Sequence, residues 1–223
     1  IGSAALTVST ASTTDEQGNS VAGSLFALEL TGVHATFGSL ITLDGGNLQI
    51  ASLSNATGSW TAAEGDSFSL TLDPSLAGVL SLSGTFGFSF NTGPTAQTEI
   101  TDWSFTGLSD FQGVALKPDQ VEVTGSDVTV TVGSSLASVV VSKFALSSQT
   151  VDPSTITLGD SSHPTGTGYS LLTLELDGLS VSLGGLVTVS GGDLQVAVLT
   201  GSGGSWTAAE GDRFRLGLDP GEN

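Results

Sequence analysis

Apolar residues alternate with small polar ones along most of the chain, which is typical of strands that bury one face. In the longest run, residues 80–90, Leu80, Leu82, Phe86, Phe88 and Phe90 are expected to line one face. Clusters of Gly, Asp and Asn separate the runs, as turns do in all-β proteins. Residues 135–146 fit a short helix or a strand, and the β-branched Val139-Val140-Val141 favours a strand. Shorter alternating runs occupy residues 68–72, 121–123, 128–132 and 214–218.

A repeat of 146 residues runs through the sequence. Residues 24–74 return as residues 170–220 without a gap, with about 29 of 51 positions identical. The nine residues 58–66 return unchanged as 204–212. A fainter echo at residues 121–125 suggests that each unit consists of two related halves. Such regularity is the signature of a duplicated structural unit.

Together, the alternation and the repeat predict an all-β, repetitive architecture. It would be either β-solenoid-like or a stacked β-sandwich array, and parallel and antiparallel strands both fit the spacing. The first unit is expected over residues 1–152 and a partial second unit over 153–223, equivalent to about 7–77. The second copy stops three residues after Pro220. We therefore expect either a piece of a longer array or a subunit that a neighbouring strand completes.

Charge and composition exclude several classes of function. Four Lys and Arg residues face 22 Asp and Glu, giving a net charge of −18, which excludes a nucleic-acid-binding surface and disfavours anionic membranes. The chain has no cysteine, which excludes a disulfide scaffold, a thiolate nucleophile and a Cys-ligated zinc site. No apolar run reaches about 18 residues, so membrane insertion is not expected. Scarce bases and one-signed charge are typical of a secreted β-protein whose copies repel one another.

Acidic residues beside glycine are the main candidates for chemistry. The two Glu-Gly-Asp triplets at 64–66 and 210–212 have the carboxylates of a Ca²⁺ turn or of a glycosidase pair. A catalytic pair need not be duplicated with its surroundings, whereas a structural turn would be, so we expect no catalytic residue. The Gly-Gly turns at 44–47 and 190–193 are similar to calcium-binding nonapeptides, but the motif never completes. The weak Ca²⁺ candidates, with no other cofactor expected, are Glu64, Asp66, Glu210, Asp212, Asp44 and Asp193.

Two aromatic pairs recur at equivalent positions of the repeat. Trp60 and Phe68 in the first copy correspond to Trp206 and Phe214 in the second. An exposed Trp can stack on a sugar ring, but an aromatic inside the best-matched motif is more simply an anchor of each repeat. We therefore expect these four residues to be structural.

The order of motifs in residues 59–72, 78–88 and 91–93 resembles the repeats of very large secreted bacterial surface proteins of the adhesin type. The resemblance implies a structural, non-catalytic protein outside the cell or at its surface, such as an adhesin stalk, a surface coat or a matrix component. The implied partners are neighbouring repeats or further copies, and a glycan or another cell-surface molecule.

Two other functions remain open. The chain could be a filament subunit in which one chain's strand completes its neighbour's sheet. It could also be a carbohydrate-binding β-solenoid, which would need a groove with clustered acids, bases and aromatics. The bases Lys117, Lys143, Arg213 and Arg215 are few and scattered for that purpose.

Overall fold

A computed structural model describes residues 1–37, 41–72, 79–94, 98–157, 163–166, 168–184 and 186–218. Within these ranges eleven strands form one antiparallel sheet. A single helical turn, α1 (Gly133–Leu136), precedes β7, so the strand interpretation of this region is confirmed from residue 137 onward. The strands are β1 (Ser3–Thr14), β2 (Ser20–Phe37), β3 (Ile41–Asn55), β4 (Gly58–Leu72), β5 (Leu80–Thr92), β6 (Val121–Val132), β7 (Ala137–Val151), β8 (Tyr169–Leu183), β9 (Val187–Gly201), β10 (Gly204–Asp212) and β11 (Arg215–Leu218).

The sheet is a meander in which β1 to β10 follow chain order, and β11 pairs with β9 beyond the end of β10. The all-β prediction is confirmed, and the strands are antiparallel, an arrangement that the sequence had left open. Among the described residues β1 pairs only with β2 and β10 only with β9, so the sheet is not closed. The described part of the chain holds no helix of the length and apolarity that crossing a membrane requires. The Asp-Pro pairs at 73–74 and 219–220, which are typical of turns that end a strand, lie outside the described residues.

Most strands are interrupted midway by a residue with left-handed backbone. In β4 and β6 these residues are Ser67 and Asp127, with φ of 58° and 52°, and the pairing register shifts beside both. In β2, β3 and β8 they are glycines, such as Gly32, Gly45 and Gly178. A bulge adds a residue and so resets which face the following side chains point to. A Cβ atom at Gly65 would lie 2.8 Å from the Phe68 ring, which places positions 65 and 68 on the same face. The bulge thus turns Phe68 to the side of Gly65 and away from the side of Glu64.

One face of the sheet is covered by part of the β5–β6 connection. Residues 98–120, here called the cover segment, contribute Trp103 and Phe111, both fully buried. We call the side of the sheet that they pack on the covered face. Burial of these large aromatics removes much apolar surface from water and so stabilises the fold. The core comprises Val21, Leu25, Ala51, Leu53, Trp60 and Ala62 from the sheet, and Ile100, Trp103, Phe111 and Leu116 from the cover segment.

The opposite side, here called the open face, is also apolar. Because successive side chains alternate between faces, the cross-strand row next to Ala27, Ala51 and Ala62 points to this side. That row runs from Leu6 through Leu28, Ile50, Ala63, Phe90, Val121, Ser148, Leu172 and Val198 to Thr207.

Glycines on the open face lie beneath aromatic rings. Phe68 and Phe88 stack with ring centroids 6.0 Å apart, and a Cβ at Gly65 would come within 2.4 Å of Phe88 and 2.8 Å of Phe68. Phe214 lies in the same way over Gly192, and Phe144 over Gly125. These rings fill the space that a glycine leaves in a strand, which explains why the strands tolerate so many glycines.

Candidate functional site

A groove of about 690 Å³ lies on the covered face, where residues 114–117 of the cover segment pass beside the sheet. Its floor comes from β4 to β8, and its walls carry charges of both signs. Its charged and polar lining includes Glu64, Ser89, Lys117, Glu122 and Lys143. Two of the chain's four basic residues, Lys117 and Lys143, therefore border this groove. In the sequence the four basic residues had looked scattered.

A single cross-strand row of polar residues leads into the groove. The pairing places Glu29 opposite Gln49, Gln49 opposite Glu64, Glu64 opposite Ser89, and Ser89 opposite Glu122. All five point to the covered face because they are in register on neighbouring strands. The middle of the covered face is thus a polar strip next to the apolar core.

Gln120 closes one end of this strip. Its Nε2 donates to Ser89 Oγ at 3.0 Å and to Glu122 Oε2 at 2.6 Å, and its Oε1 accepts from the backbone N–H of Lys117 at 2.7 Å. Gln120 is only 6% exposed. These hydrogen bonds attach the end of the cover segment to β5 and β6 and fix the wall of the groove.

Gln49 fixes the other end. It is 1% exposed; its Nε2 donates to Glu29 Oε1 at 3.1 Å and to Ser109 Oγ at 2.8 Å. Its Oε1 accepts from the backbone N–H of Asp110 at 2.9 Å. Both N–H groups and the oxygen of the buried side-chain amide therefore have partners, as burial of an amide requires. Two of these three hydrogen bonds connect β3 to the cover segment.

Gln49→Ala should therefore destabilise the fold by about 2 kcal/mol, because buried partners lose their hydrogen bonds. Gln195 is the same residue one repeat later and is exposed, so Gln195→Ala is a matched control expected to stay within about 0.5 kcal/mol of the parent chain. Urea denaturation of both variants measures the difference. Equal stabilities would contradict the role given to Gln49.

One carboxyl group that lines the groove, that of Glu64, does not titrate as an ordinary acid. Burial, followed by the nearby charges of Asp110, Glu122 and Asp66, raises the pKa of Glu64 to about 7. Burial also raises the pKa of Asp110, opposed by a hydrogen bond from Ser109. A carboxyl group that keeps a proton near neutral pH can donate a hydrogen bond to a polar ligand.

The six Ca²⁺ candidates do not gather at one place. Asp44 contacts His34 Nδ1. Asp193 contacts the Arg213 guanidinium, and Asp212 lies 3.2 Å from Arg213 Nε. Among the described residues, no group of three or more His, Asp or Glu side chains is placed to hold a metal ion. Glu64 borders the groove together with Asp66, whereas Glu210 is exposed on β10.

The four expected repeat anchors occupy different surroundings in the two copies. Trp60 is 4% exposed and its Nε1 donates to Thr98 O at 2.6 Å, whereas Trp206 is partly exposed and packs on Tyr169 at 5.9 Å between centroids. Phe68 is 3% exposed and Phe214 is 44% exposed. Trp60 belongs to the core beneath the cover segment, whereas Phe68 is buried on the open face, where it stacks on Phe88. The two residues of the second copy are less buried than those of the first.

A buried polar network around Glu99 was not anticipated from the sequence. Glu99 and Asn91 are both fully buried, and Glu99 Oε2 accepts from Asn91 Nδ2 at 3.3 Å and from the N–H of Asp119 at 2.8 Å. Asn91 Oδ1 in turn accepts from Trp103 Nε1 at 3.1 Å. Burial raises the pKa of Glu99 to about 8. The cover segment lies outside the repeated residues 24–74 and 170–220, so neither the repeat nor the strand alternation could predict this network.

The groove and the Glu99 network share one property: both exist because the cover segment packs on the first half of the sheet. Their hydrogen bonds join the cover segment to strand residues, as at Gln49 and Asn91. The arrangement is that of a polar junction holding two parts of a fold together, with a shallow groove beside it. No family model, no curated protein and no solved structure matches the chain.

Proposed function

We propose that the protein is a structural, non-catalytic component of an extracellular surface, built from 146-residue units that continue one antiparallel sheet. Its role is to extend and support a surface layer or stalk, and the cover segment stabilises each unit. Calcium is not required for this role. The adhesin-type repeats that the sequence resembles belong to the same proposal.

The observation that carries the proposal is the strand register. Leu28 pairs with Ile50 in β2 and β3, and Leu174 pairs with Val196 in β8 and β9. Each of these residues lies 146 positions from its counterpart. A unit that reproduces its own pairing inside the same sheet can be followed by another without a break, as in other quasi-one-dimensional proteins.

The strand before each copy pairs in the same manner. In β1, Ala5 and Leu6 face Glu29 and Leu28. In β7, Ala145 and Leu146 face Glu175 and Leu174. β7 therefore presents to β8 the surface that β1 presents to β2, which is what a continuing sheet of six-strand units requires.

Surface labelling of intact cells of the source organism tests this function. An antibody raised against the folded chain is expected to label intact and permeabilised cells equally, and to detect a polypeptide well above 22.2 kDa in a denaturing gel. Label that appears only after permeabilisation would overturn the extracellular role. A native polypeptide of 22.2 kDa would overturn the tandem array.

A second candidate function, a filament subunit, is favoured by the composition of β1. This edge strand of 12 residues contains neither a charged residue nor a proline, and its outer side is unpaired in the described structure. Natural edge strands usually carry charges or prolines that prevent pairing. An edge without them is suited to accept a strand from another copy.

Removal of residues 1–20, which include β1, tests the filament. If β1 joins one copy to the next, the full chain forms filaments visible by negative-stain electron microscopy and the shortened chain does not. Filaments of unchanged length from the shortened chain would contradict the edge-pairing role.

A further inference from the structure

The open face is an uncovered apolar surface, and several of its side chains are substantially exposed. Val121 is 50% exposed, Leu172 is 42% exposed, and Val123 and Leu146 are each 39% exposed. These residues are neighbours, since Val121 and Leu172 both flank Ser148 and Val123 pairs with Leu146. Contiguous apolar patches of this kind mark interaction surfaces in soluble proteins.

Charge is divided sharply between the two faces. The open-face row described above contains no charged residue, and neither do the next two rows. These are Ala4, Leu30, Leu48, Gly65, Phe88, Val123, Leu146, Leu174, Val196 and Ala209, followed by Phe86, Gly125, Phe144, Leu176, Leu194 and Gly211.

The glutamates of these strands lie on the covered face. Glu29, Glu64, Glu122, Glu175 and Glu210 all occupy covered-face positions of the same strands. With a net charge of −18, two copies repel wherever their covered faces approach each other. Of the two faces, only the open one can meet its own copy without bringing strand carboxylates together, and the division of charge therefore favours the open face for a face-to-face contact between identical chains.

The size of the open face is sufficient for a stable pair. Two of the rows extend over ten strands, roughly 43 Å at about 4.8 Å per strand, and the third extends over six strands, roughly 24 Å. With about 6.8 Å between rows along the strands, the three rows cover about 750 Å². A standard protein interface buries about 800 Å² on each partner. The charge-free rows alone therefore supply close to the area that a specific dimer needs.

We propose that the open face binds the open face of a second copy of this chain, giving a two-layer sandwich of identical sheets. Apolar sheet faces pack about 10 Å apart when their side chains interdigitate. The aromatic rings over Gly65 and Gly125 supply large apolar contacts at the centre of such an interface. This pairing joins sheets face to face and goes beyond the proposed structural role, which concerns how units follow one another.

Sedimentation equilibrium of the whole chain between about 1 and 100 µM tests the pairing. The parent chain is expected at twice its 22.2 kDa mass. The double variant Val121→Lys with Leu172→Lys is expected to dissociate at least about 100-fold more readily, because unpaired charges are then buried between the sheets. Val114→Lys is the matched control: Val114 is 42% exposed, like Leu172, but it belongs to the cover segment, so its dimer should be unchanged.

Far-UV circular dichroism establishes that each variant is folded. If the lysine variant is not, Val121→Thr with Leu172→Thr keeps strand-forming residues and should still weaken the dimer at least about tenfold. A parent chain that stays monomeric at 100 µM would overturn the proposal. A threonine variant that dimerises with the affinity of the parent chain would also overturn it. So would a lysine variant that still dimerises but becomes monomeric when residues 1–20 are removed, since that result assigns the contact to β1.

Discussion

Phe88→Asp is expected to unfold the first unit of the chain. Phe88 lies mid-strand in β5, opposite Gly65 on one side and Val123 on the other, and its ring stacks on Phe68 at 6.0 Å. The substitution removes that packing and places an ionised carboxylate among apolar rings, a combined loss of more than about 4 kcal/mol. The free energy of unfolding of a domain is only about 5–15 kcal/mol. The melting temperature of the Phe88→Asp variant should therefore drop steeply, or its thermal unfolding transition should vanish.

Ser81→Asp is the control for this variant. Ser81 belongs to the same strand and is exposed, so the same new charge meets water instead of aromatic rings. Thermal melts followed by circular dichroism should show Ser81→Asp close to the parent chain. A Phe88→Asp variant with an unchanged melting temperature would show that the aromatic layer over Gly65 contributes little to the fold.

Stability is expected to fall as pH rises from about 4.5 to about 8, with Glu99 as the main cause. Burial raises the pKa of Glu99 in the folded chain to about 8, from 4.5 for the ordinary side chain. Between these values the folded chain keeps a proton that the unfolded chain releases, so the free energy of unfolding decreases with pH. Glu64, with a pKa of about 7, acts in the same direction over a narrower range.

Glu99→Gln should remove most of this pH dependence. The neutral amide can still accept from the backbone N–H of Asp119, and it has no proton to lose. Urea denaturation at pH 5, 6.5 and 8 should show the variant close to the parent at pH 5 and more stable by a few kcal/mol at pH 8. Glu175→Gln, at an exposed position, should follow the parent profile. Parallel profiles for Glu99→Gln and the parent would contradict this account.

Alternating apolar residues were sufficient to predict strands, because a strand exposes its alternate side chains to two different environments. The run at 80–90 became β5 for that reason. The order of strands in the sheet was not predictable, since alternation says which side of a strand is buried and nothing about its neighbour. The bulges at Ser67 and Asp127 were also missed, because neither residue is a glycine and left-handed backbone is uncommon outside glycine.

The candidate site shows the limit of sequence reasoning more directly. Gln49 and Gln195 lie in matching motifs, yet Gln49 is buried beneath Ser109 and Asp110 while Gln195 is exposed. Local sequence cannot distinguish them, because the difference comes from the distant cover segment packing over only one of them. The burial of Glu99 could not be predicted for the same reason, because it depends on contacts with Asn91 and Asp119 that form only in the folded chain.

The strict chain order of the strands has a mechanical consequence. β1 and β10 lie at opposite ends of the path of paired strands, so tension applied between them acts across the strands and pulls neighbouring strands apart. In that geometry the hydrogen bonds of a hairpin break one after another, whereas a sheet pulled along its strands must break many together. A chain loaded in this way would lengthen hairpin by hairpin at low force and recover by local re-pairing, which makes it an extensible tether and not a rigid rod.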